Sequence, residues 1–180
     1  PKPSSRQKWW TSRASPGFMD QCLRRAIERL YLVTPAGMAR ELENADETVI
    51  DFLHTSWTFT ARGIQVANDT NWQIWLLLGG RGSGKTRAGA EWVRARVKNG
   101  ARRIALVGPT FNAAREVMIE GESGLLAIGA PHERPVYISS RRRLEWPCGA
   151  IGLVFSSDEP DGLRGAQCDT AWADEFCAWK

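Results

Sequence analysis

The residues with the clearest chemical potential are Gly79-Gly80-Arg81-Gly82-Ser83-Gly84-Lys85-Thr86, which fit the spacing GxxxxGK[ST]. At this chain's composition, about 0.005 accidental matches are expected along its length. Glycines at these places let successive backbone N–H groups turn inward around phosphate oxygens, and a helix opening near Lys85 aims the positive end of its dipole at the same spot. Lys85 is thereby assigned to the β- and γ-phosphates of ATP and the Thr86 hydroxyl to Mg²⁺. A phosphate cradle binds a nucleotide, but hydrolysis needs a second group that holds the metal and orients a water. Asp174-Glu175 supply both functions, Asp174 as the Mg²⁺ ligand and Glu175 as general base. Alone the pair is a weak signal, because strand ends commonly carry solvated carboxylates; its place about 90 residues after the glycine loop is what gives it weight.

These residues need elements to position them. Residues 74–78, Ile-Trp-Leu-Leu-Leu, form a short apolar run suited to a strand buried on both faces. Residues 85–98 read as a helix with Ala88, Trp92, Ala95 and Val93 on its packed side and Asn99-Gly100 as its stop signal. A second buried strand spans 103–107, and Thr110 caps a helix running to about Glu120. Residues 141–156 carry a hairpin signal around Pro147-Cys148-Gly149. The last strand, 170–173, ends at the acidic pair, at the carboxyl edge where open α/β sheets bind ligands. The alternation predicts an α/β fold with a parallel-sheet core, of the P-loop type that uses a glutamate base.

Composition bounds the rest. The chain has 180 residues, 43% of them apolar, so it is not a disordered chain. Residues 1–29 hold seven basic side chains against Asp20 and Glu28, so this segment carries +5 while the remainder carries −1. The basic excess is an arm, with a transit peptide as the other reading of residues 1–17. Apolar runs reach only about five residues where a bilayer needs ~20, so no membrane crossing is expected. Cys22, Cys148, Cys168 and Cys177 show no CxxC pair and no His at metal spacing, which points to reduced thiols. The division is a basic arm over 1–17, a helical appendage over 18–56 and the ATPase domain over 57–180. Arg141-Arg142-Arg143 read either as phosphate contacts or as a solvated hairpin start, and Trp75, Trp92 and Trp172 read as packing.

The run from Trp75 to Trp92 that contains the glycine loop resembles the ATPase domain of phage terminase large subunits, especially those of tailed phages and gene transfer agents. So do Gly108-Pro109-Thr110-Phe111-Asn112-Ala113-Ala114-Arg115-Glu116-Val117-Met118, Leu144-Glu145-Trp146-Pro147, Leu163-Arg164-Gly165 and Ala173-Asp174-Glu175. The resemblance covers roughly residues 48–180 and none of 1–45. It implies a motor that hydrolyses ATP with Mg²⁺ to drive double-stranded DNA into a capsid. A homo-oligomeric ring, a portal protein and a small terminase subunit are the implied partners, and the bacterial host cytoplasm is the implied location. By the same resemblance Arg81 senses the γ-phosphate and Arg164 acts on a neighbouring subunit's nucleotide; a solvated loop charge and an ion pair with Asp161 are the other readings. Gln73 is a candidate reader of the adenine edge, or a capping residue. In such proteins later strands and a C-terminal nuclease follow the acidic pair, so residues 57–180 are expected to form a partial ATPase domain, without those later strands or the nuclease. A catalytically silent nucleotide-binding remnant and another DNA-translocating ATPase, such as a helicase, remain as alternatives.

Overall fold

The computed structural model describes residues 56–67 and 72–179, so the arm over 1–17 and nearly all of the appendage over 18–56 lie outside the described residues. The chain divides into two compact units, residues 1–59 and 60–180, and the second carries every candidate residue.

Its centre is β1 (Arg103–Gly108), buried from Ile104 to Gly108. A strand covered on both faces must be apolar throughout, which is the Ile-Ala-Leu-Val pattern found here. Parallel neighbours flank it: β4 (Ile151–Ser156) on one side, with Arg103 opposite Ile151, and β5 (Thr170–Ala173) on the other, with Ile104 opposite Thr170. The sheet continues antiparallel from β4 to β3 (Arg143–Glu145) and β2 (Val136–Ile138), giving the order β2-β3-β4-β1-β5. The fold is therefore α/β as expected, but with a mixed sheet in which a parallel trio carries an antiparallel pair. The expected hairpin joins β3 and β4. Gly149, at φ 84°, closes it by donating to the Trp146 carbonyl at 2.9 Å, a conformation that favours glycine. Three-residue β2 was missed because so short a run leaves no period to count.

Helix α1 (Lys85–Lys98) occupies the predicted span and ends as expected, Gly100 at φ 101° donating to the Val97 carbonyl. Its packed face differs. Ala88, Gly89, Ala90, Glu91, Val93 and Val97 are buried, Trp92 is half-buried and Ala95 is exposed. Small residues turn inward because the helix lies directly on β5: a Cβ on Gly89 would stand 2.3 Å from the Trp172 indole. Glu91, 3% exposed, is held by Arg87 at 2.9 Å and by Arg94, which reaches on to Glu133 at 2.9 Å. Burying this carboxylate is tolerable only because both arginines accompany it. The predicted helix after β1 is present as α2 (Phe111–Ala113), continued by a π-helix over Ala114–Ile119. Thr110 Oγ1 caps it, accepting from Ala113 N–H at 3.1 Å. Met118 and Ile119 from this segment pack with Ile104, Leu106, Leu125 and Leu144 in the main core. Each such buried side chain contributes about 1.5–3 kcal/mol of transfer free energy.

Residues 74–78 depart most from expectation. They form no strand, and Ile74, Leu76 and Leu78 are 85%, 68% and 75% exposed. An apolar run marks a segment that can be buried on both faces, but it is buried only where a partner strand lies beside it, and among the described residues none does. The segment is held instead by aromatic contact: the Trp72 ring lies 6.3 Å from both Trp75 and Trp92.

Candidate functional site

Between this segment and α1 runs the glycine loop, residues 79–84, and the motif's Lys85 and Thr86 open the helix. Gly82 and Gly84 adopt φ 74° and 79°, in the left-handed region where a side chain is strained. Its interior is tight. A Cβ on Gly79 would lie 2.6 Å from Ser83 Oγ, and one on Gly84 would lie 2.3 Å from Gln65 Nε2. Lys85 opens α1 and bends back over the loop, its ammonium donating to the Gly79 and Gly80 carbonyls at 2.9 and 3.0 Å. Ser83 Oγ is buried with no hydrogen-bond partner. Thr86, next in the first turn of α1, is half-buried. An orphaned hydroxyl, a cation satisfied only by backbone carbonyls and a helix N-terminus thus converge on a loop that has no room for a side chain at Gly79 or Gly84 and open space at Gly80 and Gly82. Such a set can take an anion: the ammonium would exchange carbonyls for charged oxygens, a stronger partner.

Gln65 completes the loop's support and was missed by sequence reasoning. It lies in a 3-10 turn, Gly63–Gln65, and is 6% exposed. Its Oε1 accepts from Arg62 N–H at 2.9 Å and its Nε2 donates to the Ser83 carbonyl at 3.0 Å, so one amide ties the turn to the loop. A glutamine in a polar turn carries no spacing signal that could have singled it out. Gln73, the glutamine chosen from sequence, is exposed and makes no hydrogen bond among the described residues.

The acidic pair sits where the sequence put it. β5 pairs with β1 up to Ala173, and Asp174 N–H then donates to the Val107 carbonyl at 2.9 Å, fixing the residue at the carboxyl end of the sheet. The Trp179 indole N–H donates to the Asp174 carbonyl at 3.1 Å. Burial pushes the Asp174 carboxyl above the ordinary carboxylate range and the adjacent Glu175 charge adds to the rise. Against them act the Glu175 backbone N–H and the charge of Lys85. The charge of Lys85, on the glycine loop, is thus one of those that act on the carboxyl at the strand end. Glu175 is exposed and held at φ 51°. A non-glycine residue there costs about 1–2 kcal/mol, a strain that neighbouring structure must sustain.

Two arginines complete the set of residues chosen from sequence. Arg81 is exposed in the loop's turn. Arg164 pairs with Asp161 at 3.0 Å, the second of the two readings from sequence, with the side chains 84% and 80% exposed. A pair this wet is worth at most ~1 kcal/mol, so the guanidinium is readily released to another anion. Among the described residues Cys148, Cys168 and Cys177 are free thiols.

Residues 76–180 match the family model described as terminase large subunit, T4-like virus type, N-terminal. No curated protein and no solved structure matches the chain.

Proposed function

The chain belongs to the terminase large-subunit family, whose role is DNA packaging, and from that premise we propose that residues 57–180 form its ATP-hydrolysing motor domain with a P-loop core. The observation that carries the reading is Lys85 bent back over a glycine loop that holds an orphaned Ser83 hydroxyl, with its charge acting on buried Asp174 at the end of β5.

The loop's N–H groups and the Lys85 ammonium would bind the β- and γ-phosphates, and Arg81 would approach the γ-phosphate from the loop's turn. Thr86 and Asp174 would hold Mg²⁺, which when bound offsets phosphate charge. The raised proton affinity of Asp174 supports this, because a buried carboxylate with only partial compensation gains from a cation. Glu175, exposed beside it, would take the proton of the attacking water. Arg164, released from Asp161, would reach the nucleotide of the adjacent subunit in a homo-oligomeric ring. Gln73 is retained as the proposed adenine contact. The portal protein and the small terminase subunit are the proposed partners, and the bacterial host cytoplasm the proposed site of action. Among the described residues no helix is long and apolar enough to cross a membrane.

Glu175→Gln tests the hydrolytic part. The amide can orient a water but cannot accept its proton, so phosphate release should fall ~10²–10⁴-fold while Mg·ATP affinity stays at the wild-type value. Wild-type turnover in this variant removes Glu175 from the mechanism. A wild-type protein that binds ATP and releases no phosphate supports the silent-remnant alternative instead.

A further inference from the structure

The basic run 141–143 is resolved by the structure into unlike residues. Arg143 is neutralised by Glu145, and Arg115, in the π-helix after α2, is paired with Glu120 at 2.9 Å. Arg141 and Arg142 are exposed and have no acidic partner or side-chain hydrogen bond among the described residues. Arg142 has an aromatic partner instead: its guanidinium carbon lies 3.6 Å from the centre of the Phe111 ring. Its backbone is held at φ 49°, one of only two non-glycine residues with positive φ among those described, the other being Glu175. Its N–H donates to the Ser139 carbonyl, and its carbonyl accepts from Val154 N–H at 3.0 Å. A guanidinium stacked by its face keeps its in-plane N–H edge available, the edge that pairs with phosphate oxygens. Ser139 and Ser140, exposed in the turn just before, add hydroxyls of the kind that contact phosphates.

Position adds a second argument. Phe111 follows the carboxyl end of β1, where Gly108 and Val107 also bond Ser157 and Asp174. The Arg142 stack is therefore at the same end of the sheet as the acidic pair. β3 and β5 are three strand spacings apart in the order β2-β3-β4-β1-β5, roughly 14 Å at ~4.8 Å each. A polyanion lying here would run along the rim of the candidate site without entering it.

We propose that Arg141 and Arg142, with Arg142 pre-positioned on Phe111, form a contact for the phosphate backbone of duplex DNA. The choice of DNA rests on the packaging reading; the patch itself rests on the stack and on the absence of acidic partners. The contact is sequence-independent, since it offers charge and hydroxyls but no element placed to enter a groove.

The experiment measures binding of the full chain to a fluorescent duplex across a salt titration, with unfolding curves confirming that each variant is folded. Each phosphate contact contributes about 0.9 to the slope of log affinity against log salt, so Arg141→Ala/Arg142→Ala should flatten it by ~1.8. Between about 50 and about 200 mM salt the wild type should then lose ~12-fold more affinity than the variant. Arg142→Gln alone should flatten the slope by ~0.9, and Arg143→Ala, already neutralised by Glu145, should leave it unchanged. An unaltered slope in the double variant overturns the proposal, as does a wild type that does not bind the duplex. ATP binding is titrated separately in the same proteins. Its failure with an intact slope effect would sink the motor reading and leave the DNA contact standing.

Discussion

Lys85→Ala should abolish measurable binding of Mg·ATP. In the structure the ammonium already spans the loop mouth, donating to the Gly79 and Gly80 carbonyls at 2.9 and 3.0 Å. A nucleotide would take over those bonds with charged phosphate oxygens. Two charge-assisted bonds at about 1.5–3 kcal/mol each correspond to ~10²–10⁴ in affinity. The hydrogen bonds of the ammonium go to loop carbonyls, so the fold should survive, and circular dichroism can verify this. Calorimetric titration of Mg·ATP then decides the matter. Unchanged affinity would mean that the glycine loop is a structural turn whose lysine is incidental.

Arg164→Ala should bind Mg·ATP normally and hydrolyse it poorly. The arginine is on an exposed turn and held only by the wet pair with Asp161, so its loss leaves the protein's own loop and acidic pair intact. An arginine acting on a neighbour's nucleotide is worth ~10³–10⁵ in rate, far beyond the ~1 kcal/mol of a surface ion pair. Mixing separates action between subunits from action within one. In mixed rings of Arg164→Ala and Glu175→Gln subunits, each inactive alone, an Arg164→Ala site keeps its glutamate base and can use the arginine of its neighbour. Part of the activity should return. If confirmed mixed assemblies stay as inactive as their parents, the arginine does not act between subunits.

Sequence reasoning did best where local chemistry and fold demand the same residue. Lys85–Lys98, Arg103–Gly108 and Thr170–Ala173 appear as elements where apolar periodicity and stop signals placed them, and Thr110 caps as its type suggests. The place of Asp174 at the carboxyl end of β5 was legible because a short apolar run ending in two carboxylates marks a strand and its edge. Readings that depend on a neighbour were less legible. Residues 74–78 are apolar enough for a buried strand yet stay exposed on alternate positions, since burial is a property of the pair. Ala95 was assigned inward because alanine is ambiguous between faces, whereas Gly89 faces inward to let Trp172 approach. Gln65 was invisible because its role is one amide bridging a turn and a loop 18 residues later. Nothing in Arg141-Arg142-Arg143 distinguishes the arginine neutralised by Glu145 from the one stacked on Phe111.

Backbone hydrogen exchange with and without Mg·ATP tests the central claim, that residues 79–86 cradle the nucleotide's phosphates beside Asp174, most directly. Those N–H groups would become donors to phosphate oxygens, so the peptide covering residues 79–86 should gain protection on adding Mg·ATP. The peptide covering Asp174 and Glu175 should gain it too, and Lys85→Ala should show neither change. Saturating Mg·ATP that leaves exchange over residues 79–86 unaltered, or that protects only segments remote from the loop, would contradict the account.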